Sequence, residues 1–147
     1  IETIHAATDL LAEAKLSPEL RNEALYYRAK AYTKQKAGKK AMEDYRELAK
    51  DTRNPYGAEA KYQVAQSLYD AKEYAAAEKE LLNYIEQSTP HAYWLARSFV
   101  LLSDVYHATG KDLDARQYLL SLQQNYQGND DIESMIESRL SKLKVEN

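Results

Sequence analysis

The sequence predicts an all-α fold on three observations. Only 4 of the 147 residues are Gly and 3 are Pro, so few positions favour turns. Ala, Leu, Glu, Lys and Gln, which favour helices, are abundant along the whole chain. Apolar residues recur three and four positions apart, which is the spacing of one helix face. These features indicate about eight helices.

Composition and charge limit the class of protein. The chain has the size of one folded domain, and a net charge of -3 gives no overall attraction to nucleic acid. No apolar run approaches the about 20 residues that cross a bilayer. The absence of Cys fits a reducing or an oxidising compartment equally. Because the chain starts at Ile1, we expect a fragment of a longer array, with any leader or lipid anchor outside it.

A small-then-large pattern repeats along the chain. In the segment from Glu73 to Pro90, Ala77 allows another helix to approach closely, and Leu81 fills the space beside it. The same pattern recurs at alanines 7, 41, 77 and 115, which are separated by 34, 36 and 38 residues. The chain therefore consists of repeated units.

Other helices lie between these and have local start signals. Each is predicted to start on a capping residue followed by proline: Ser17-Pro18, Asn54-Pro55 and Thr89-Pro90. Gly38 and Gly110 mark the turns inside the first and third pairs, and Gly128 marks the end of the last pair. The predicted segments are a lone second helix at 1–16, pairs at 17–53, 54–88 and 89–127, and a terminal helix at 128–147.

The terminal helix carries one apolar stripe, formed by Ile132, Met135, Ile136, Leu140 and Leu143. This stripe is expected to cover the third pair. Two interpretations remain open, a capping helix or the first helix of a further repeat.

Paired helices with a period near 34 resemble the tetratricopeptide repeat. The resemblance covers nearly the whole chain and is strongest to the slightly long bacterial version found in outer-membrane-assembly lipoproteins and related envelope proteins. It implies a right-handed α-solenoid of antiparallel helix pairs and suggests the bacterial periplasm, with the cytoplasm as the alternative. Arg28 and Lys61 depart from the usual large apolar residues, and Ser103 replaces Gly or Ala.

The sequence shows no reaction centre, so we expect no enzyme, no cofactor and no metal. His5, His91 and His107 are scattered, and none has a second ligand four residues away. No two glycines are closer than 18 residues, so there is no glycine-rich phosphate loop. Adjacent acids such as Glu43 and Asp44 diverge on a helix and make no convergent acid/base site.

The resemblance implies a concave groove lined by the first helix of each pair. Its expected residues are Glu23, Tyr26, Lys30 and Lys34 in the first pair, Glu59, Tyr62, Gln66 and Tyr69 in the second, and Arg97, Val100, Asp104 and His107 in the third. Tyr26 and Tyr62 either anchor a ligand or pack against the neighbouring pair. Of the set with which chaperone-binding members hold a terminal carboxylate, only Arg97 has a clear match, so that activity is not expected.

A basic run without acids lies between Glu23 and Glu43: Arg28, Lys30, Lys34, Lys36, Lys39 and Lys40. It is either a solvated surface near a helix C-terminus or a patch for an acidic segment.

The leading hypothesis is a non-catalytic protein–protein interaction scaffold that binds a peptide or protein partner in the groove. One alternative is a structural spacer or self-assembly segment of a longer solenoid. A helical-repeat RNA binder is disfavoured, because Glu23, Glu59 and Asp104 place acids in the groove.

Overall fold

The computed structural model describes residues 1–13, 15–87 and 89–143. In these ranges the chain forms eight α-helices and no strand, which confirms the all-α prediction and the expected number of helices. The helices are α1 (Glu2–Leu11), α2 (Pro18–Lys34), α3 (Gly38–Leu48), α4 (Pro55–Asp70), α5 (Tyr74–Glu86), α6 (Ala92–Ala108), α7 (Asp112–Asn125) and α8 (Ile132–Lys142). Positions 14, 88 and 144–147 of the predicted segments lie outside the described residues.

The chain divides into two compact units, Ile1–Val64 and Ala65–Asn147. The first contains α1, α2, α3 and the start of α4, and the second contains the end of α4 and the remaining helices. In the first unit α1 packs on α2 and α2 packs on α3. In the second, α6 packs against α5, α7 and α8.

Two of the three predicted helix starts are confirmed. The Ser17 hydroxyl accepts a hydrogen bond from the Leu20 amide at 3.2 Å, and Pro18 is the first residue of α2. Asn54 immediately precedes α4, and its side chain accepts from the Tyr56 amide at 2.8 Å. The third start is shifted. The hydroxyl of Thr89 accepts from the amide of His91, so it closes a short turn before the helix, and α6 begins at Ala92.

Three turns share one backbone geometry. Each has one residue in the left-handed conformation, namely Lys36 (φ 60°), Lys72 (φ 63°) and Gly110 (φ 79°). The amide of the next residue donates to the carbonyl five positions earlier, at 2.8, 2.9 and 2.7 Å respectively. The turn predicted at Gly110 is therefore confirmed, whereas Gly38 is the first residue of α3 and Lys36 takes the left-handed position. These turns recur with the spacing that the alanines show.

Helix α8 covers the apolar side of α6 and α7. Ile132 and Ile136 are buried against Ala96, Val100, Leu119 and Leu122, and Met135, Leu140 and Leu143 pack on the same cluster. The predicted stripe is therefore confirmed. The residues of α8 that are exposed are all polar: Glu133, Ser134, Glu137, Ser138, Ser141 and Lys142. This distribution favours the capping interpretation, because a capping helix needs a polar outer face.

Within the described residues, none of the helices has both the length and the apolar character that crossing a membrane requires.

Candidate interaction surfaces

In the unit of residues 1–64, three of the expected groove residues form one polar cluster. The Tyr26 hydroxyl donates to Glu59 Oε1 at 2.9 Å, and Lys30 Nζ lies 3.4 Å from Glu59 Oε2. Lys30 Nζ also lies 5.0 Å from the centre of the Tyr26 ring. Burial raises the pKa of Tyr26, and the Tyr26 hydroxyl, with Glu59, raises the pKa of Lys30. At neutral pH the cluster thus holds a neutral phenol between two opposite charges.

Four more expected residues meet in the unit of residues 65–147. A cavity of about 390 Å³ lies between the last turn of α4, α6 and α8. We call it the α4–α6–α8 cavity. It is lined by Gln66, Tyr69, Ser103, Asp104, His107, Arg139, Lys142 and Leu143. Gln66, Tyr69, Asp104 and His107 belong to the set expected from the sequence.

The charges around this cavity are partly balanced. Arg139 donates from Nε and Nη2 to the two carboxylate oxygens of Asp104, each at 3.2 Å. His107 Nδ1 lies 2.8 Å from Asp112 Oδ1. Lys142 is exposed and makes no ion pair with any residue that the structure describes. The lysine is therefore a cation at the cavity without a carboxylate partner in the described chain.

Tyr69 contributes a neutral hydroxyl and an aromatic surface to the cavity. Burial raises the pKa of Tyr69, so its hydroxyl keeps its proton at neutral pH and can donate a hydrogen bond. Its ring centre lies 5.6 Å from that of Tyr74 on α5, which supports the side chain from one side. The cavity therefore offers donors of two kinds, a phenol and an ammonium, beside an apolar wall.

Sequence reasoning missed the wall that α8 provides, although the repeat period contains the signal. Arg139 follows Asp104 by 35 residues, and Lys142 follows His107 by 35. Gln66 and Tyr69 precede the same two positions by 38. Successive first helices thus place equivalent residues at the cavity. Treating the last helix only as a cap removed Arg139 and Lys142 from the expected set.

Two expected groove residues do not face solvent. Tyr62 is only 5% exposed, and Val100, which is 1% exposed, packs in the cluster with Leu119 and Ile132. For Tyr62 the burial favours the interpretation in which the ring packs inside the protein. The expectation that Tyr62 and Val100 meet a ligand is corrected, because a buried side chain offers no surface to one.

The remaining expected residues lie apart from these clusters. The Arg97 guanidinium carbon lies 5.9 Å from the centre of the Tyr93 ring and 5.7 Å from that of Trp94. Arg97 is therefore engaged with aromatic rings of its own helix. Glu23 and Lys34 are exposed on α2.

The basic run separates into paired and unpaired residues. Arg28 is paired with Asp44, and Lys30 is paired with Glu59. Lys34, Lys36, Lys39 and Lys40 are exposed around the turn between α2 and α3, without an ion pair to any described residue. Lys40 Nζ lies 5.8 Å from the centre of the Tyr32 ring. Four lysines therefore form the positive surface of this turn.

Among residues 1–13, 15–87 and 89–143, no group of three or more His, Asp or Glu side chains is arranged to hold a metal ion. Comparison of the chain with protein-family models, with curated proteins and with solved structures found no match.

Proposed function

We propose that this chain is a non-catalytic protein–protein interaction scaffold and that a peptide segment of its partner binds at the α4–α6–α8 cavity. The observation that carries the proposal is the meeting of Gln66, Tyr69, Asp104 and His107 around one cavity of about 390 Å³. The antiparallel pairing and the right-handed solenoid that the resemblance implies are part of the proposal. The three equivalent turns, spaced as the repeats are, support it.

The chemistry of the cavity suits a peptide. The Tyr69 hydroxyl can donate to a peptide carbonyl, while its ring provides a large contact at low entropic cost. Lys142 and the Nη1 group of Arg139, which the Asp104 bond leaves unused, can donate to a carbonyl or carboxylate. Leu143 adds an apolar surface. The space is sufficient for one or two side chains of a bound segment.

The proposal can be tested with peptides selected for binding to the chain. A library of random peptides of about 12 residues is displayed and selected on the immobilised chain, and the affinity of each enriched peptide is measured. Tyr69→Ala should weaken binding by about five- to thirtyfold, since interface tyrosines contribute about 1–2 kcal/mol. Lys142→Glu should also weaken binding. Leu113→Ala, on α7 and away from the cavity, should leave the affinity unchanged.

Two results would contradict the proposal. One is selected peptides that bind the Tyr69→Ala and Lys142→Glu variants as tightly as the original chain. The other is a selection that enriches no peptide, which would favour the structural-spacer alternative. Thermal unfolding of each variant is measured alongside, so that a loss of affinity is not confused with a loss of structure.

A further inference from the structure

A second cavity, separate from the proposed peptide site, lies between α1 and α2 in the unit of residues 1–64. Its volume is about 360 Å³, and we call it the α1–α2 groove. It is lined by Thr3, Ala6, Ala7, Leu10, Leu20, Glu23, Ala24 and Tyr27. Leu20 and Tyr27 remain 46% and 48% exposed. Large apolar side chains that adjoin a groove lined with alanine are typical of an interaction surface.

The other unit shows which kind of element such a groove accepts. There α6 lies on α7 and α8: its Phe99 and Tyr106 rings contact the Tyr118 ring, and its Ala96 and Val100 pack with Ile132 and Ile136. In the repeat register, Leu10 precedes Tyr118 by 108 residues, and Glu23 and Tyr27 precede Ile132 and Ile136 by 109. The α1–α2 groove is thus equivalent to the surface that α6 covers, so its shape fits an α-helix.

The surroundings of the groove are acidic. Five exposed carboxylates on α1, on α2 and just after α1 make no ion pair with a described residue: Glu2, Asp9, Glu13, Glu19 and Glu23. The cations of α2 nearest to them are already engaged, because Arg21 pairs with Glu47 and Lys30 pairs with Glu59. Lys15, in the connection between the helices, is left to balance five charges. A helix that enters this groove therefore meets a negative field.

Glu23 adds a specific requirement. It stands inside the groove at the position that Ile132 occupies in the equivalent surface, so an entirely apolar helix would cover a carboxylate without a partner. A lysine or arginine at that position of the incoming helix would satisfy it. A second copy of this chain that presented the same groove would instead bring carboxylates against carboxylates. The charge pattern therefore favours a basic partner over self-association.

We propose that the α1–α2 groove is the docking site for a basic amphipathic helix of a partner protein, with a lysine or arginine opposite Glu23. Small and apolar residues of that helix fill the space over Ala6, Ala24 and Leu10. Its basic flanks lie over the carboxylates of α1 and α2. This site shares no residue with the α4–α6–α8 cavity, so the two can be tested separately.

The test uses the full chain and two designed helical peptides of about 18 residues, long enough for five turns. Both peptides carry the same Leu and Ala stripe, and one has lysines on its flanks where the other has glutamates. Fluorescence anisotropy of labelled peptides gives the affinities. We expect the lysine peptide to bind at least about tenfold more tightly than the glutamate peptide and to weaken as salt is added. Equal binding of the two peptides would overturn the proposal.

Substitutions then locate the site. Leu20→Ser combined with Tyr27→Ser should weaken the lysine peptide at least about tenfold, while Leu113→Ser, an equally apolar residue that is 60% exposed on α7, should change it less than about twofold. Glu23→Lys should shift the preference toward the glutamate peptide. Binding that survives the double substitution would place the peptide elsewhere. Dimerisation of the chain that the double substitution abolishes would assign the groove to a second copy. Both outcomes would overturn the proposal.

Discussion

Arg28 and Asp44 form a buried bidentate ion pair that joins α2 to α3. Arg28 Nε lies 2.8 Å from Asp44 Oδ2 and Nη2 lies 2.6 Å from Oδ1, while Nη1 donates to the Thr8 hydroxyl of α1 at 3.2 Å. The side chain of Asp44 is only 5% exposed. The hydrogen bond to Asp44 raises the pKa of Arg28 above its already high ordinary value. This pair explains why an arginine occupies a position where the repeat usually has a large apolar residue.

Breaking this pair on one side should be costly. Arg28→Ala leaves a buried carboxylate without its cation, and we expect a loss of about 3–5 kcal/mol in the free energy of unfolding, measured with urea. Replacing both residues with leucine should recover much of that loss. Lys50→Ala, which removes an exposed pair with Glu47, should cost less than about 1 kcal/mol. A loss for Arg28→Ala as small as that of the control would contradict the structural role.

The left-handed turn residues can be tested by exchange with glycine. A side chain at a left-handed position costs roughly 1–2 kcal/mol in conformational energy, while glycine costs more entropy on folding. Lys72→Gly should therefore stabilise the protein by about 0.5–1 kcal/mol, and Gly110→Ala should destabilise it by about 1 kcal/mol. Lys79→Gly, inside α5, is the control and should be destabilising. If Lys72→Gly is destabilising to the same degree, the left-handed assignment of Lys72 is wrong.

Gly57 and Gly38 should respond oppositely to alanine. A Cβ on Gly57 would lie 1.8 Å from the carbonyl oxygen of Asp51 and 2.7 Å from that of Leu48, so the backbone itself must move. A Cβ on Gly38 meets nothing within 4 Å. We expect Gly57→Ala to lower the free energy of unfolding by about 3 kcal/mol or more. Gly38→Ala should be neutral or stabilise α3 by up to about 1 kcal/mol, as alanine favours helix. Similar melting temperatures for the two variants would contradict the close approach at Gly57.

Tyr126 should contribute a pH-dependent part of the stability. Burial and the hydrogen bond that its hydroxyl donates to Asp130 raise its pKa to about 12. Because this folded-state value exceeds the ordinary value of about 10, the stabilisation is complete below pH ~10 and is lost as the pH rises through about 12. Tyr126→Phe should therefore unfold with a shallower dependence on alkaline pH. An unchanged dependence would mean that Tyr126 ionises as it does in the unfolded chain.

Local signals predicted the helix boundaries better than they predicted the surfaces. Ser17 and Asn54 act on amides two or three residues away, so their effect can be read from neighbouring residues. The turn at Lys36 was placed two positions late, because the rule that glycine ends helices overlooks a lysine held left-handed by backbone hydrogen bonds. Tyr62 shows the larger difficulty. Periodicity gives its position on the helix, but its burial depends on elements that are distant in the sequence.

Helix α8 links terminal fraying to binding. Its Ile132 and Ile136 complete the core of the unit, while its Arg139 and Lys142 form one wall of the α4–α6–α8 cavity. Terminal elements open locally at lower free energy than the rest of a fold. Each such opening removes the wall, so a molecule in the cavity binds only the closed form and shifts the opening equilibrium by mass action. Amide hydrogen exchange in residues 132–142 should therefore slow when the cavity is filled, and the occupancy of the site could be read from α8 alone.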